Sequence, residues 1–351
     1  MPDLIRLTSE GLYCEAGAFH VDPWRPVERA VITHAHSDHA RPGSQRYLTT
    51  EEGRRVLATR LGDDASIDAI PYESPITIND VAVSLHPAGH VLGAAQIRIE
   101  HRGRVWVISG DYKVEPDPTC RAFEPVPCHC FITESTFGLP IYRWKPAAEI
   151  AAQINDWWRA NQRDNRTSII FAYALGKAQR ILAALAPDIG PILVHGAVAR
   201  LCEAYEHSGV ALPPWRHATP DLVKQTRGSA IVIAPPSAEG SPWIRKFGPA
   251  STAVASGWMQ IRGARRRRAV DRGFILSDHA DWPGLLNTIE ATGAERIGVT
   301  HGYSEPMVRF LRETGRDAWV IPTRFEGESP SEESADTNSP ESANSGGVES
   351  T

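Results

Sequence analysis

Five short apolar runs in this chain each stop at a residue that can bind a metal or move a proton, and this repetition restricts the folds open to it. Residues 31–33 stop at His34, inside the stretch A-V-I-T-H-A-H-S-D-H-A-R-P. Residues 105–109 stop at Gly110-Asp111, 131–133 at Glu134, 274–277 at Asp278-His279 and 297–300 at His301. Short apolar runs with turn residues at their ends read as buried strands. In layered α/β proteins the carboxyl edge of the strands is where sites are built, because the strands hold the converging loops rigid. His90, in the turn P-A-G-H-V-L-G after the alternating residues 81–85, joins the same set.

The densest cluster is His34, His36, Asp38 and His39, four potential metal ligands within six residues. Imidazole suits zinc and similar borderline metals, and a carboxylate among the donors fits a catalytic site rather than a closed structural one. In an extended segment His34 and His36 share one side, while Asp38-His39 points elsewhere, toward a second metal.

The order H-x-H-x-D-H, a lone His, a lone Asp and a late T-H-G resembles the metallo-β-lactamase fold. Glu134 in T-E-S-T-F and His279 in S-D-H-A-D resemble two further motifs, those of the β-CASP nucleases. The stretches G-L-Y-C-E-A-G-A-F-H-V-D-P-W-R-P and A-S-G-W-M-Q-I-R-G-A-R-R-R-R-A-V-D-R-G-F-I-L-S-D-H-A-D-W-P are most similar to the bacterial ligase-associated DNA exonucleases. The resemblance covers roughly residues 4–325. It implies an α/β fold, an αββα metallo-β-lactamase sandwich carrying an inserted α/β β-CASP domain. The boundaries it suggests are 1–142 for the first part of the sandwich, 143–270 for the insertion, 271–325 for the return segment and 326–351 for a disordered acidic tail.

The resemblance also implies two divalent metal ions, zinc first and manganese as the alternative. One takes His34, His36 and His90; the other takes Asp38, His39 and His301; Asp111 bridges. The implied reaction is phosphodiester hydrolysis by hydroxide activated between the metals, with His279, oriented by Glu134, as proton donor to the leaving oxygen. Asp38, Asp111, Glu134 and His279 are thus the expected catalytic set. The implied function is a DNA exonuclease working in repair beside an ATP-dependent DNA ligase and a helicase; the alternative is an RNA-processing ribonuclease. His301 belongs to that alternative, since RNA-processing relatives keep it and the eukaryotic DNA-processing ones typically replace it. Asp22 resembles the family's first motif, a carboxylate behind a ligand histidine, but on local grounds it is equally a turn residue before Pro23.

Residues 143–270 alternate strand and helix patterns, which means parallel βαβ units, and they contain no candidate ligand cluster. The F-A-Y-A-L-G-K-A-Q-R segment passes from strand to helix at Gly176. Its backbone N–H groups and Lys177 could meet a phosphate, or the glycine could simply turn the chain. Arg265 and Arg266 lie in the densest basic run, just before His279; such a run is a solvated face or a contact to a phosphate backbone. Trp258 could stack on a base or fill a core. Ser135 and Thr136, beside Glu134, complete the candidate substrate contacts.

Composition agrees with a nucleic-acid enzyme without requiring one. The net charge of −5 conceals seven acids and no Lys or Arg in residues 326–351, so the remainder carries +2. Five scattered cysteines argue against a disulfide framework, and Cys128-His129-Cys130 lacks a second pair to complete a zinc site. The start lacks the layout of a signal peptide and no run approaches a membrane span, so the expectation is a cytoplasmic protein with no membrane partner.

Overall fold

A computed structural model describes residues 3–263 and 270–324. Arg265, Arg266 and the acidic segment 326–351 lie outside the described residues. The fold is mixed α/β, built on three sheets.

The first sheet runs in sequence order through β1 (Ile5–Leu7), β2 (Leu12–Cys14), β3 (Phe19–Val21), β4 (Arg29–Val31), β5 (Arg46–Thr50) and β6 (Ile67–Ile70). The second begins with β7 (Ile76–Ile78), β8 (Val81–Pro87), β9 (Ala95–His101), β10 (Arg104–Ile108) and β11 (Cys130–Glu134). Asn79 and Arg102, both at positive φ, make the tight turns between β7 and β8 and between β9 and β10. The two sheets pack face to face through Phe19, Val21, Val31 and Leu48 against Val83, Leu85, Ile97, Ile99 and Ile108. Alternation along β10 shows why the second sheet can be covered on both sides. Trp106 and Ile108 face the first sheet, whereas Val105 and Val107 lie under the helices Trp282–Thr292 and Ser304–Glu313.

The third sheet is wholly parallel: β12 (Thr167–Phe171), β13 (Ile192–Val194), β14 (Arg216–His217), β15 (Ile231–Ala234), β16 (Ala250–Ala255) and β17 (Arg272–Phe274), ordered β14-β13-β15-β12-β16-β17. Its central strands are buried along their whole length, as a sheet covered on both faces requires. The chain then returns to the second sheet as β18 (Arg296–Thr300), beside β11, and ends with β19 (Asp317–Val320).

Two expectations change. The strand expected at 274–277 is shorter and earlier; as β17 it pairs with β16, so the stretch just after residue 270 belongs to the third sheet rather than to the return segment. Residues 50–61 read in the sequence as a helix capped by Thr50, but the helix starts at Arg54 and Thr50 ends β5, its hydroxyl donating to the Gly93 carbonyl at 2.9 Å. Among the described residues no helix is long and apolar enough to cross a membrane.

Candidate metal centre

The carboxyl ends of β4, β8, β10 and β18 meet at one edge, where their loops bring two groups of donor atoms together. In the first, His36 Nδ1 lies 3.1 Å from both His34 Nε2 and His90 Nε2. Asp111 Oδ2 lies 3.5 Å from His34 Nε2 and 3.8 Å from His90 Nε2. Donors around a tetrahedral cation with bonds of about 2.1 Å stand about 3.4 Å apart. Hydrogen bonds alone cannot satisfy this arrangement, because His36 Nδ1 carries at most one proton and faces two other ring nitrogens. A cation at the centre would satisfy all four donors.

Each ring is also held from behind. His36 Nε2 donates to the Leu175 carbonyl at 3.2 Å and His90 Nδ1 to the Asp278 carbonyl at 2.9 Å. A carbonyl only accepts, so these contacts put the ring protons on the outer nitrogens and leave lone pairs facing inward.

The second group is Asp38, His39 and His301, whose donor atoms lie within 4.8 Å of one another. His39 Nε2 is 3.4 Å from Asp111 Oδ2 and 3.6 Å from Asp38 Oδ2. It is buried and has no hydrogen-bond partner among the described residues, as expected of an atom shaped to hold a metal. On the far side His39 Nδ1 is 2.8 Å from Asp22 Oδ2, and Asp22 Oδ1 accepts from the Thr33 N–H at the same distance. Asp22 therefore backs a histidine of the second donor group. Asp111 Oδ2 lies close to both groups.

Two site residues adopt positive φ, His301 at 55° and Asp22 at 44°, and Gly110 at 56° does so without strain. A Cβ on Gly110 would stand 2.6 Å from the Thr33 side chain, so only glycine lets the Asp111 loop approach this closely.

His279 follows β17 and Glu134 ends β11. Glu134 Oε2 and Oε1 lie 2.9 and 3.1 Å from His279 Nδ1, and Oε1 also accepts the Tyr112 N–H at 2.8 Å. The His279 ring centroid is 4.7 Å from that of His90. Glu134 thus orients an imidazole beside the first donor group.

Burial and neighbouring charge set the protonation of the site. Burial holds His34 and His90 well below the usual histidine value, with adjacent imidazoles adding to the effect, and it lowers His301 as well. All three are therefore neutral, as a ligand must be. His39 goes the other way. Burial pulls it down, but Asp111 and Asp38 outweigh that and raise it well above its ordinary value. Asp111 is held well below the usual carboxylate range because His39 and His279 outweigh its burial.

The expected substrate contacts fare differently. Ser135 is buried, and its hydroxyl donates to the carbonyls of Thr300 and His301, so it fixes the strained ligand loop instead of facing a substrate. Lys177 is fully buried, with Nζ 3.7 Å from Asp278 Oδ2 and 4.8 Å from the Tyr173 ring centre. Gly176 N–H is taken by Gln179 Oε1 at 2.8 Å and Ala178 N–H by the Tyr173 carbonyl, so this helix start offers no anion site. Trp258 is buried, 4.8 Å from the Phe137 ring, and fills a core. Thr136 is buried beside Glu134. Arg265 and Arg266 are outside the described residues.

Behind the site lie buried charges: Asp278, which ends an apolar run in the sequence, and Asp117 and Arg180, which no motif marked. Arg180 Nε lies 3.1 Å from Asp117 Oδ2 and 3.6 Å from Asp278 Oδ1. Only the +3 spacing from Lys177 to Arg180 on one helix hinted that both cations turn inward.

No protein-family model matches the chain. It is similar to a probable DNA ligase of Opitutus terrae, 32% identical over 315 residues, which covers 89% of this chain and 30% of that protein. It is also similar to endoribonuclease ysh-1 of Neurospora crassa, 35% identical over 122 residues, 34% of this chain and 14% of the relative. With endoribonuclease YSH1 of Gibberella zeae it shares 28% over 244 residues, 65% of this chain and 28% of the relative. The chain thus spans less than a third of the length of these curated relatives. Among solved structures, a protein of unknown function from Enterococcus faecalis V583 superimposes with a TM-score of 0.58 over 84% of this chain and 79% of that one, at 12% identity, a likeness of fold alone.

Proposed function

We propose that this chain is a metal-dependent nuclease. On this reading its first two sheets form a metallo-β-lactamase sandwich, and the third sheet, carried by residues 143–270 and extended through Phe274, is a β-CASP insertion. The observation that carries the proposal is the meeting of two donor groups on Asp111, with the His279–Glu134 pair alongside. His34, His36 and His90 would hold one divalent cation and Asp38, His39 and His301 a second, with Asp111 serving both. Cations so held, zinc first and manganese as the alternative, supply positive charge that neutralises a phosphodiester and acidifies water.

The chain's own residues do the rest. Inward lone pairs on His36, His90 and His39 are fixed by their outer hydrogen bonds, so these donors need little rearrangement when substrate arrives. His279 carries the catalytic proton. Glu134 accepts from Nδ1 and stabilises the doubly protonated ring, and Nε2 is the nitrogen that gives its proton to the departing sugar oxygen.

DNA is the favoured substrate, with exonucleolytic action beside an ATP-dependent ligase and a helicase. A stretch like this one inside a protein named a probable DNA ligase supports that choice. RNA processing is the second reading, favoured by the relatives named endoribonucleases and by the histidine at 301. End-labelled single- and double-stranded DNA and RNA, offered to metal-stripped protein with zinc or manganese restored, decide between them. The expected result is metal-dependent loss of mononucleotides from DNA ends; preferential loss of the RNA strand would reverse the order.

A further inference from the structure

The Arg180 guanidinium touches both loops that carry the chemistry. NH2 donates to the His90 carbonyl at 3.1 Å and reaches the Gly89 carbonyl at 3.4 Å, while NH1 reaches the Ser277 carbonyl at 3.4 Å. The first loop presents His90 to the metal group; the second continues through Asp278, whose carbonyl accepts His90 Nδ1, to His279. Arg180 is 4% exposed, and its charge is balanced by Asp117 at 3.1 Å and Asp278 at 3.6 Å. It lies on the helix Lys177–Ala184, and Leu175, two residues before that helix, also holds His36. The third-sheet unit, which contributes none of the metal donors, therefore reaches back to brace two of the ligand histidines.

We propose that Arg180 is a positioning residue, a cross-brace that sets the separation of His279 from His90 and so from the metal group. The inference rests on the metal-site reading given above. The planar fork is what the task requires, because it spans two loops at once; a lysine ammonium keeps the charge but cannot reach carbonyls on both. A displacement of about 1 Å in a reacting group can cost about 100-fold in rate.

Arg180→Lys in the full chain tests this, alone and combined with His279→Ala. Three results are expected from the single variant: metal stoichiometry equal to that of the parent, a visible absorption spectrum shifted in the cobalt-substituted protein, and kcat about 10- to 100-fold lower with KM within twofold. In the His279→Ala background the same substitution should cost less than twofold, because the group it positions is gone. Either an unshifted cobalt spectrum or a kcat loss that persists undiminished without His279 overturns the proposal. Should Arg180→Lys fail to fold, Asp117→Asn, which loosens the guanidinium from its Nε side, is read in the same way, with a smaller shift and a smaller kcat loss expected. The cobalt measurement needs no substrate, so a protein that cut no nucleic acid would sink the nuclease reading and still leave the brace answered.

Discussion

The two donor groups differ in how firmly they are built. In the first, His34, His90 and Asp111 are buried, His36 Nδ1 stands 3.1 Å from both other ring nitrogens, and His36 and His90 are locked from outside by backbone carbonyls. In the second, the Asp38 side chain is 22% exposed, His301 depends on a left-handed backbone, and only His39 has a carboxylate behind it. Preorganisation of this kind lowers the cost of binding, since donors already in place lose little freedom when the ion arrives. The first group should therefore hold its ion more tightly, and a chelator should empty the second first.

The substitution with the largest expected effect removes what the groups share. Asp111→Ala should lose both ions and all hydrolysis together; retention of either ion, by elemental analysis, would break the idea of a common ligand. His279→Ala should lower kcat by about 10²- to 10⁴-fold with metal content intact. Loss of metal in proportion to loss of rate would make His279 a ligand instead. Asp22→Ala sharpens the contrast between the groups. It should weaken the second site by about 10- to 100-fold, moving stoichiometry from two ions toward one while the first site keeps its affinity. Isothermal titration of the stripped protein separates the two steps.

The smallest effect is on stability against pH in the metal-free protein. His34, His90 and His301 have folded values pushed below the ordinary 6.5, so below that pH the unfolded chain binds protons the folded one refuses. Stability should fall as pH drops from 6.5 through their folded values. His39, raised by Asp111 and Asp38, has given its full contribution by pH 6.5 and adds no opposing slope below it. Thermal melting of stripped protein between about pH 7.5 and pH 5 reads the slope, and a flat profile would remove burial as the cause.

His34, Asp111 and His301 stood out in the sequence because each closely follows an apolar run, and His36, Asp38 and His39 because they crowd behind His34. Asp38-His39 and Asp111 needed no tertiary knowledge. The residues that support them did not announce themselves. Leu175 acts through a carbonyl that any residue would provide, and Arg180 and Lys177 look like the solvated cations of an ordinary helix. Lys177, offered as a phosphate contact beside a glycine that could simply turn the chain, is buried against Asp278, because the apolar helix around it packs inward. Trp258, offered as a stacking surface or as core, proved to be core, since Phe137, Tyr142 and Tyr303 surround its ring. The run before His279 pairs with β16 in the third sheet, a pairing hidden in the sequence for a related reason: an apolar run shows that a strand is buried but not which neighbour it pairs with.

The central claim is that imidazoles and carboxylates from His34 to His301 assemble around divalent cations that hydrolysis requires. Elemental analysis of the purified protein, paired with end-labelled DNA hydrolysis on the same fractions through progressive chelation, tests it directly. The expected result is close to two ions per chain, departure of the second-group ion first, and rate falling with metal and returning when zinc or manganese is restored. Undiminished hydrolysis by protein carrying no divalent ion would contradict it.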